Sequence, residues 1–388
     1  MAIGKWARLV LMVAPLLAGC KGFWNPPASS GNGKTTASSG NFYIANINGS
    51  QIVGYSINTG VVTALPGSPY AVPAAPIAIT ISPNNAFLYA GTAAGIYVYN
   101  IASNGQLTLG NSNGPISNDP ASTLQVDASG SWLVEAVPGL PSVYGIQLNP
   151  STGLAASATE QFATLPVSTI RQVAISPDNT FVFVAMGAGG TATVSFNSSN
   201  VKPFGTVGNI AVKNTGGAAL SVAVDPIISG QSSPRLVYIG ETVATSGTNT
   251  GGLRVFTYST FTELSGSPFA SEGLAPYDIL PISSGGFVYV ANRQISGSTT
   301  GVIAGFSIVS TNGVYSLTAL GSTFTAGINP QALVEDSDST FVLVTNFGGT
   351  PDLTGYTFDT TKAGYLDSVI SSATGTDPTG ATAIAAVH

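Results

Sequence analysis

Ionic side chains are scarce in this 388-residue sequence: Asp, Glu, Lys and Arg together make up 7%, and the net charge is −6. With no basic stripe to displace counterions, nucleic acid is excluded as a partner. Cysteine and histidine occur once each, as Cys20 and His388. A single cysteine forms no disulfide within the chain. A single histidine at the last position leaves no Ser-His-Asp set and no His/Cys cluster for a transition metal. No loop has the ligand spacing of a calcium site, and no glycine loop leads into a helix to cradle phosphate, so no cofactor is expected. After residue 20 no apolar run reaches the ~18–20 residues of a membrane-spanning helix. Helical periodicity is missing too. What is present instead is 47 Gly, 24 Pro and many Ser, Thr and Asn, set between short apolar runs.

The N-terminus gives an address. Lys5 and Arg8 precede the apolar segment Leu9 to Leu17, and Ala18-Gly19 supply small residues before a cleavage point, the layout of an export signal. Leu17-Ala18-Gly19-Cys20 resembles the lipobox of bacterial lipoproteins, which implies that Cys20 becomes the lipidated first residue of the mature chain. Two or more acyl chains hold a protein stably at a bilayer, at about 0.8 kcal/mol per buried methylene. Lys21 stands where an inner-membrane retention signal of that kind would carry Asp, so the resemblance permits an outer-membrane destination. The expected organisation is a signal peptide over 1–19, a lipidated Cys and flexible tether over 20–40, and one domain over 41–388. The domain would face the periplasm or the cell surface.

From residue 41 one unit recurs. A first strand often opens on Pro, as in Pro76-Ile-Ala-Ile-Thr-Ile81 and Pro276-Tyr-Asp-Ile-Leu280. A turn such as Ser82-Pro-Asn-Asn85 or Ser176-Pro-Asp-Asn179 follows. An aromatic-led second strand comes next, seen in seven copies from Phe42 through Phe287-Val-Tyr-Val-Ala-Asn292 to Phe341. Third and weaker fourth strands complete the unit. Equivalent points at Ile79, Leu124, Val173, Val222, Ile279 and Leu333 are 45, 49, 49, 57 and 54 residues apart. Four strands in about 50 residues is the period of a propeller blade rather than of a β-sandwich. The domain begins at Phe42 with a second strand, and its last segment, Asp377-Pro378 to His388, matches a first strand. The fold expected is therefore all-β: a seven-bladed propeller of four-stranded blades, its ring closed by N- and C-terminal strands sharing one blade. A monomer is expected.

The Pro-led strand, the Ser-Pro-Asp-Asn turn, Phe-Val-Tyr-Val-Ala-Asn292 and the runs Leu65-Pro-Gly-Ser-Pro-Tyr70 and Leu264-Ser-Gly-Ser-Pro-Phe269 resemble the lactonase family of seven-bladed propellers. That family includes a bacterial 6-phosphogluconolactonase and is similar to YVTN-repeat proteins of cell surfaces. The resemblance covers residues 41–388 and implies the fold and a ligand site at the central channel. It also implies His and acidic groups around that channel, whereas the one His here is His388.

Channel-mouth groups come from two sets of connections, those entering each first strand and those leaving each second strand. Asp119, Arg171, Asn329 and Asp377 belong to the first set; Asn46, Glu241, Asn292, Arg293, Asn346 and Asp352 belong to the second. Opening a lactone needs a group that activates water and donors that hold the oxyanion. Asp119, Glu241 or Asp377 are candidates for the former, Arg171 and Arg293 for the latter. The four asparagines, Asn46, Asn292, Asn329 and Asn346, are candidate binding groups. Turn chemistry is the stronger reading for Asp119 and Asp377, which precede prolines, and for asparagines that end strands. Glu335 and Asp336 fall at the opposite end and read as solvated. Two functions follow: a lipid-anchored envelope module that binds or scaffolds a protein, glycan or sugar ligand, or a hydrolase opening a sugar lactone at the channel mouth.

Overall fold

A computed structural model describes residues 40–157, 159–248, 250–349, 351–371 and 380–388. The export signal, Cys20, the tether up to residue 39, and Asp377 lie outside them. The described residues form seven antiparallel sheets arranged as a ring, with no α-helix among them. Six blades are built in simple up-and-down order from consecutive strands. Blade 1 instead takes its inner strand, Ala381–Ala386, from the C-terminus and pairs it with Phe42–Asn46 from the N-terminus. The inner strands of blades 2 to 7 are Pro76–Ile81, Thr123–Val126, Gln172–Ile175, Ala219–Val224, Pro276–Pro281 and Pro330–Glu335. Each inner strand packs beside the next around the axis, and Ala381–Ala386 closes the ring between blades 7 and 2.

In blades 2, 3, 4 and 7 the turn between inner and second strands follows one rule. Its first residue accepts the backbone N–H that opens the second strand: Ser82 from Phe87 at 3.0 Å, Asp127 from Trp132 at 2.7 Å, Ser176 from Phe181 at 2.9 Å and Asp336 from Phe341 at 2.6 Å. Three residues on, the backbone enters the left-handed region at Asn85, Gly130, Asn179 and Ser339, and in blade 6 at Gly285, with φ between 54° and 71°. Asn and Gly tolerate that conformation at least cost, which is why the repeat carries them there. Asp336 is therefore buried and not solvated, and Glu335 is buried with it, accepting the backbone N–H of Ser283 at 2.7 Å.

Packing between blades is apolar and aromatic. Second-strand residues alternate between the two neighbours: in blade 6, Val288 and Val290 face blade 5, while Tyr289 and Ala291 face blade 7. The second-strand aromatic also ties its blade to the next. Tyr43 Oη donates to Gly105 O at 2.7 Å, Tyr89 to Gly153 at 3.0 Å, Tyr289 to Gly364 at 2.7 Å, and Trp132 Nε1 to Ser198 O at 2.9 Å. Each phenol buries its ring and still satisfies its hydroxyl.

Candidate functional site at the channel mouth

The seven inner strands enclose a cavity of about 1020 Å³ along the ring axis. One register position, lined by Ile77, Ser122, Arg171, Leu220, Tyr277, Gln331 and Thr382 on successive blades, circles one mouth. The next position inward is divided. It holds Thr123, Gln172, Ser221 and Asp278 on blades 3 to 6, but Ala332, Ala383 and Ala78 on blades 7, 1 and 2. The polar arc bonds blade to blade: Thr123 accepts from Val173 N at 3.2 Å, Gln172 from Val222 N at 2.9 Å, and Asp278 from Leu333 N at 2.7 Å. Gln172 Nε2 also donates to Asp278 at 2.8 Å. Burial outweighs these bonds and pushes the Asp278 carboxyl up to about 6.

Arg171 immediately precedes the inner strand of blade 4, and Arg293 immediately follows the second strand, Phe287–Asn292, of blade 6. Both line the cavity at the same mouth. The Arg293 guanidinium lies over the Tyr277 ring, 3.2 Å from its centroid, and donates from Nη2 to Gln331 Oε1. Its Nε is buried without a partner. Burial holds the Arg293 pKa below the usual arginine range, and the like charge of Arg171 adds to that. Neither arginine is in an ion pair; those among the described residues involve Lys213, Arg235 and Arg254. Asn329 lines the same mouth with its backbone at φ 51°.

The other candidates stand elsewhere. Asp119 is exposed at the junction of blades 2 and 3, near Glu135 and Glu160. Glu241 is buried inside blade 5, 2.8 Å from Arg254 Nη1 and accepting Lys213 N at 2.9 Å. Asn46 accepts Gly49 N at 3.0 Å; Asn292 accepts from Ser271 Oγ at 2.8 Å and donates to Ser271 O at 2.7 Å; Asn346 accepts Gly327 N at 3.0 Å and donates to Thr354 Oγ1 at 3.0 Å. All three are buried: Asn46 holds the loop beyond its own strand, while Asn292 and Asn346 tie their strand ends to segments of the preceding blade. Asn292→Ala is therefore expected to lower unfolding stability by roughly 1–3 kcal/mol, leaving Ser271 unsatisfied; denaturant titration checks this.

Three residues that sequence reasoning passed over, Tyr277, Gln331 and Asp278, complete the mouth. Their signal was positional. Tyr277 and Gln331 share the register of Arg171, and Asp278 is the sole acidic side chain among the described residues lining the cavity. No cluster of three or more His, Cys, Asp or Glu among the described residues is placed to hold a metal ion.

Ring, closure and axial cavity together define a seven-bladed β-propeller. Solved structures of that shape cover almost the whole chain. A protein of Bacteroides fragilis, provisionally described as a 6-phosphogluconolactonase, matches with a TM-score of 0.70 at 17% identity, over 92% of this chain and 100% of its own. A counterpart from Bacteroides uniformis matches at 0.69 and 17% identity over 90% and 99% of the two chains. The periplasmic gluconolactonase PpgL of Pseudomonas aeruginosa matches at 0.64 and 16% over 90% and 99%. At such identities the likeness is one of fold. No protein-family model and no curated protein matches the sequence.

Proposed function

We propose that this chain is an exported propeller, anchored through acylated Cys20, that binds an anionic small molecule at its channel mouth. The carrying observation is the pair of unneutralised guanidinium groups, Arg171 and Arg293, facing one cavity in a protein with so few charges. Their mutual repulsion is relieved by an anion between them, and the planar forks suit a carboxylate or phosphate. Tyr277 holds Arg293 in place, while Asn329 and Gln331 offer amide groups beside it. Sugar acids and sugar phosphates fit this chemistry and the size of the cavity.

Calorimetric titration with such a panel is expected to show binding that weakens about tenfold or more in Arg171→Ala or Arg293→Ala, and that weakens with added salt. Equal binding of neutral sugars, unaffected by either substitution, overturns this reading.

One observation favours a second reading as a lactone hydrolase. Asp278 faces the same cavity with its pKa near 6, suited to activating water, on a fold shared with proteins described as lactonases. A panel of sugar lactones assayed with wild type, Arg171→Ala and Asp278→Asn decides it. No turnover above blank removes the hydrolase reading for those substrates, and turnover indifferent to both substitutions rejects the site.

A further inference from the structure

The face opposite the arginine mouth has its own character. Of the eight large hydrophobic residues exposed among the described residues, Val61, Val201, Ile227, Val309 and Val314 all lie at that face, on turns and hairpins. The most prominent feature there is the outer hairpin of blade 6, Thr300–Thr311 and Val314–Ile328. Ser307 pairs with Phe287, the first residue of the second strand, so everything from Ile308 to Leu317 overhangs the blade. At ~3.3 Å per residue the overhang reaches on the order of 15 Å. Ile308, Tyr315 and Leu317 pack back toward blade 5, whereas Val309 and Val314 at the tip are 45% and 72% exposed. Asn312 and Gly313, both at positive φ, make a tight two-residue turn, and no ionic side chain occurs between Arg293 and Glu335.

The chain enters the domain at this same face. Gly40 begins the strand that ends at Asn46 by the mouth, and it sits against Asp336 and Ser337 in a turn of the far side. Residues 21–39 connect it to Cys20, a reach of at most roughly 65 Å. A tether to an acyl anchor on Cys20 therefore leaves the domain from this face. Exposed valines on a hairpin without ionic side chains are suited to the headgroup boundary, where apolar surface gains from leaving water and no ion must be desolvated.

We infer that the blade 6 hairpin tip, Val309 to Val314, is a second membrane contact, seating the propeller with its arginine mouth directed away from the lipid. The inference rests on the acylation of Cys20 proposed above. The contact is with the neutral lipid surface itself. Under it, the anionic ligand reaches the mouth from the aqueous side.

The test uses the acylated full-length chain on phosphatidylcholine vesicles. An environment-sensitive dye on Asn312→Cys is expected to shift to the blue on vesicle binding, while the same dye on Gly139→Cys, in a loop at the mouth end, does not. Val309→Asp with Val314→Asp is expected to speed dissociation from vesicles roughly fivefold to tenfold. Intact-mass measurement separates the two readings: absence of acyl groups on Cys20 overturns the anchor and this inference with it. An acylated chain whose Asn312→Cys dye stays in water, or whose double variant dissociates at the wild-type rate, overturns the tip contact alone.

Discussion

A chain ending at Pro378 is expected to lose its single cooperative thermal transition and to bind an apolar-surface dye at room temperature. The missing strand, Ala381–Ala386, pairs with Phe42–Asn46 at five register positions and is the inner strand of blade 1. It buries Ala381, Ile384 and Ala386 in the core shared with blade 7, and Ala383, Ala385 and Val387 pack toward blade 2. Removing it opens the ring and leaves Phe42, Tyr43, Ile44 and Ala45, each at most 1% exposed in the intact protein, along a bare sheet edge. The lost ladder and burial amount to on the order of 5–10 kcal/mol, comparable with the whole stability of a typical domain. Calorimetry decides the matter. A truncated chain with the full-length transition would show that closure is not the source of cooperativity.

Replacing Glu135 is expected to have the opposite sign. Glu135 lies in the second strand of blade 3, Trp132–Ala136, and faces blade 2 with 0% exposure. Neither carboxyl oxygen has a hydrogen-bond partner. Burial, with the nearby Glu160 and Asp119 carboxylates, pushes its pKa from the ordinary 4.5 up to about 9. The folded protein therefore holds a proton that the unfolded chain releases above about pH 4.5. The stability tied to that proton is fully present below pH 4.5 and is lost as pH rises through about 9. By pH 7 the loss is roughly 3 kcal/mol at 1.36 kcal/mol per pH unit. Glu135→Gln removes the titration, so its unfolding free energy is expected to exceed that of wild type by roughly this amount at pH 7, by more at pH 8.5, and to match it near pH 4.5. Denaturant unfolding at those three pH values checks this, and parallel pH profiles for the two proteins refute it.

The fold was legible because each blade repeats the same physical solution. Alternating apolar residues bury both faces of every second strand, and a left-handed turn residue recurs as Asn85, Gly130, Asn179, Gly285 and Ser339. Seven weak signals reinforce one another when they share a period of about 50 residues. Glu135 also stands out against that frame: its register is taken by Ile44, Ala90, Val184, Ile239, Val290 and Val344 on the other blades. The candidate site was legible only in part. Arg171 and Arg293 were named because arginine is scarce, and both prove to line one mouth. Asp278 was hidden in an apolar-looking strand, and its role depends on neighbours in blades 4 and 7 that are more than 50 residues away.

The sequence by itself determined the repeat, the strand order, the ring closed by its two ends, and which residues fall at each end of the strands, because these follow from local periodicity and turn chemistry. It could not decide direction within an end. Asn292 and Arg293 are adjacent, yet Asn292 turns toward blade 5 to hold Ser271, just past that blade's outer strand, while Arg293 turns to the axis and stacks on Tyr277. Glu241, at the same register as Asn292, meets Arg254 instead of the channel. Which polar groups are bonded locally and which face the cavity is settled only when seven blades meet, because each side chain takes the partner that the neighbouring strand or blade presents.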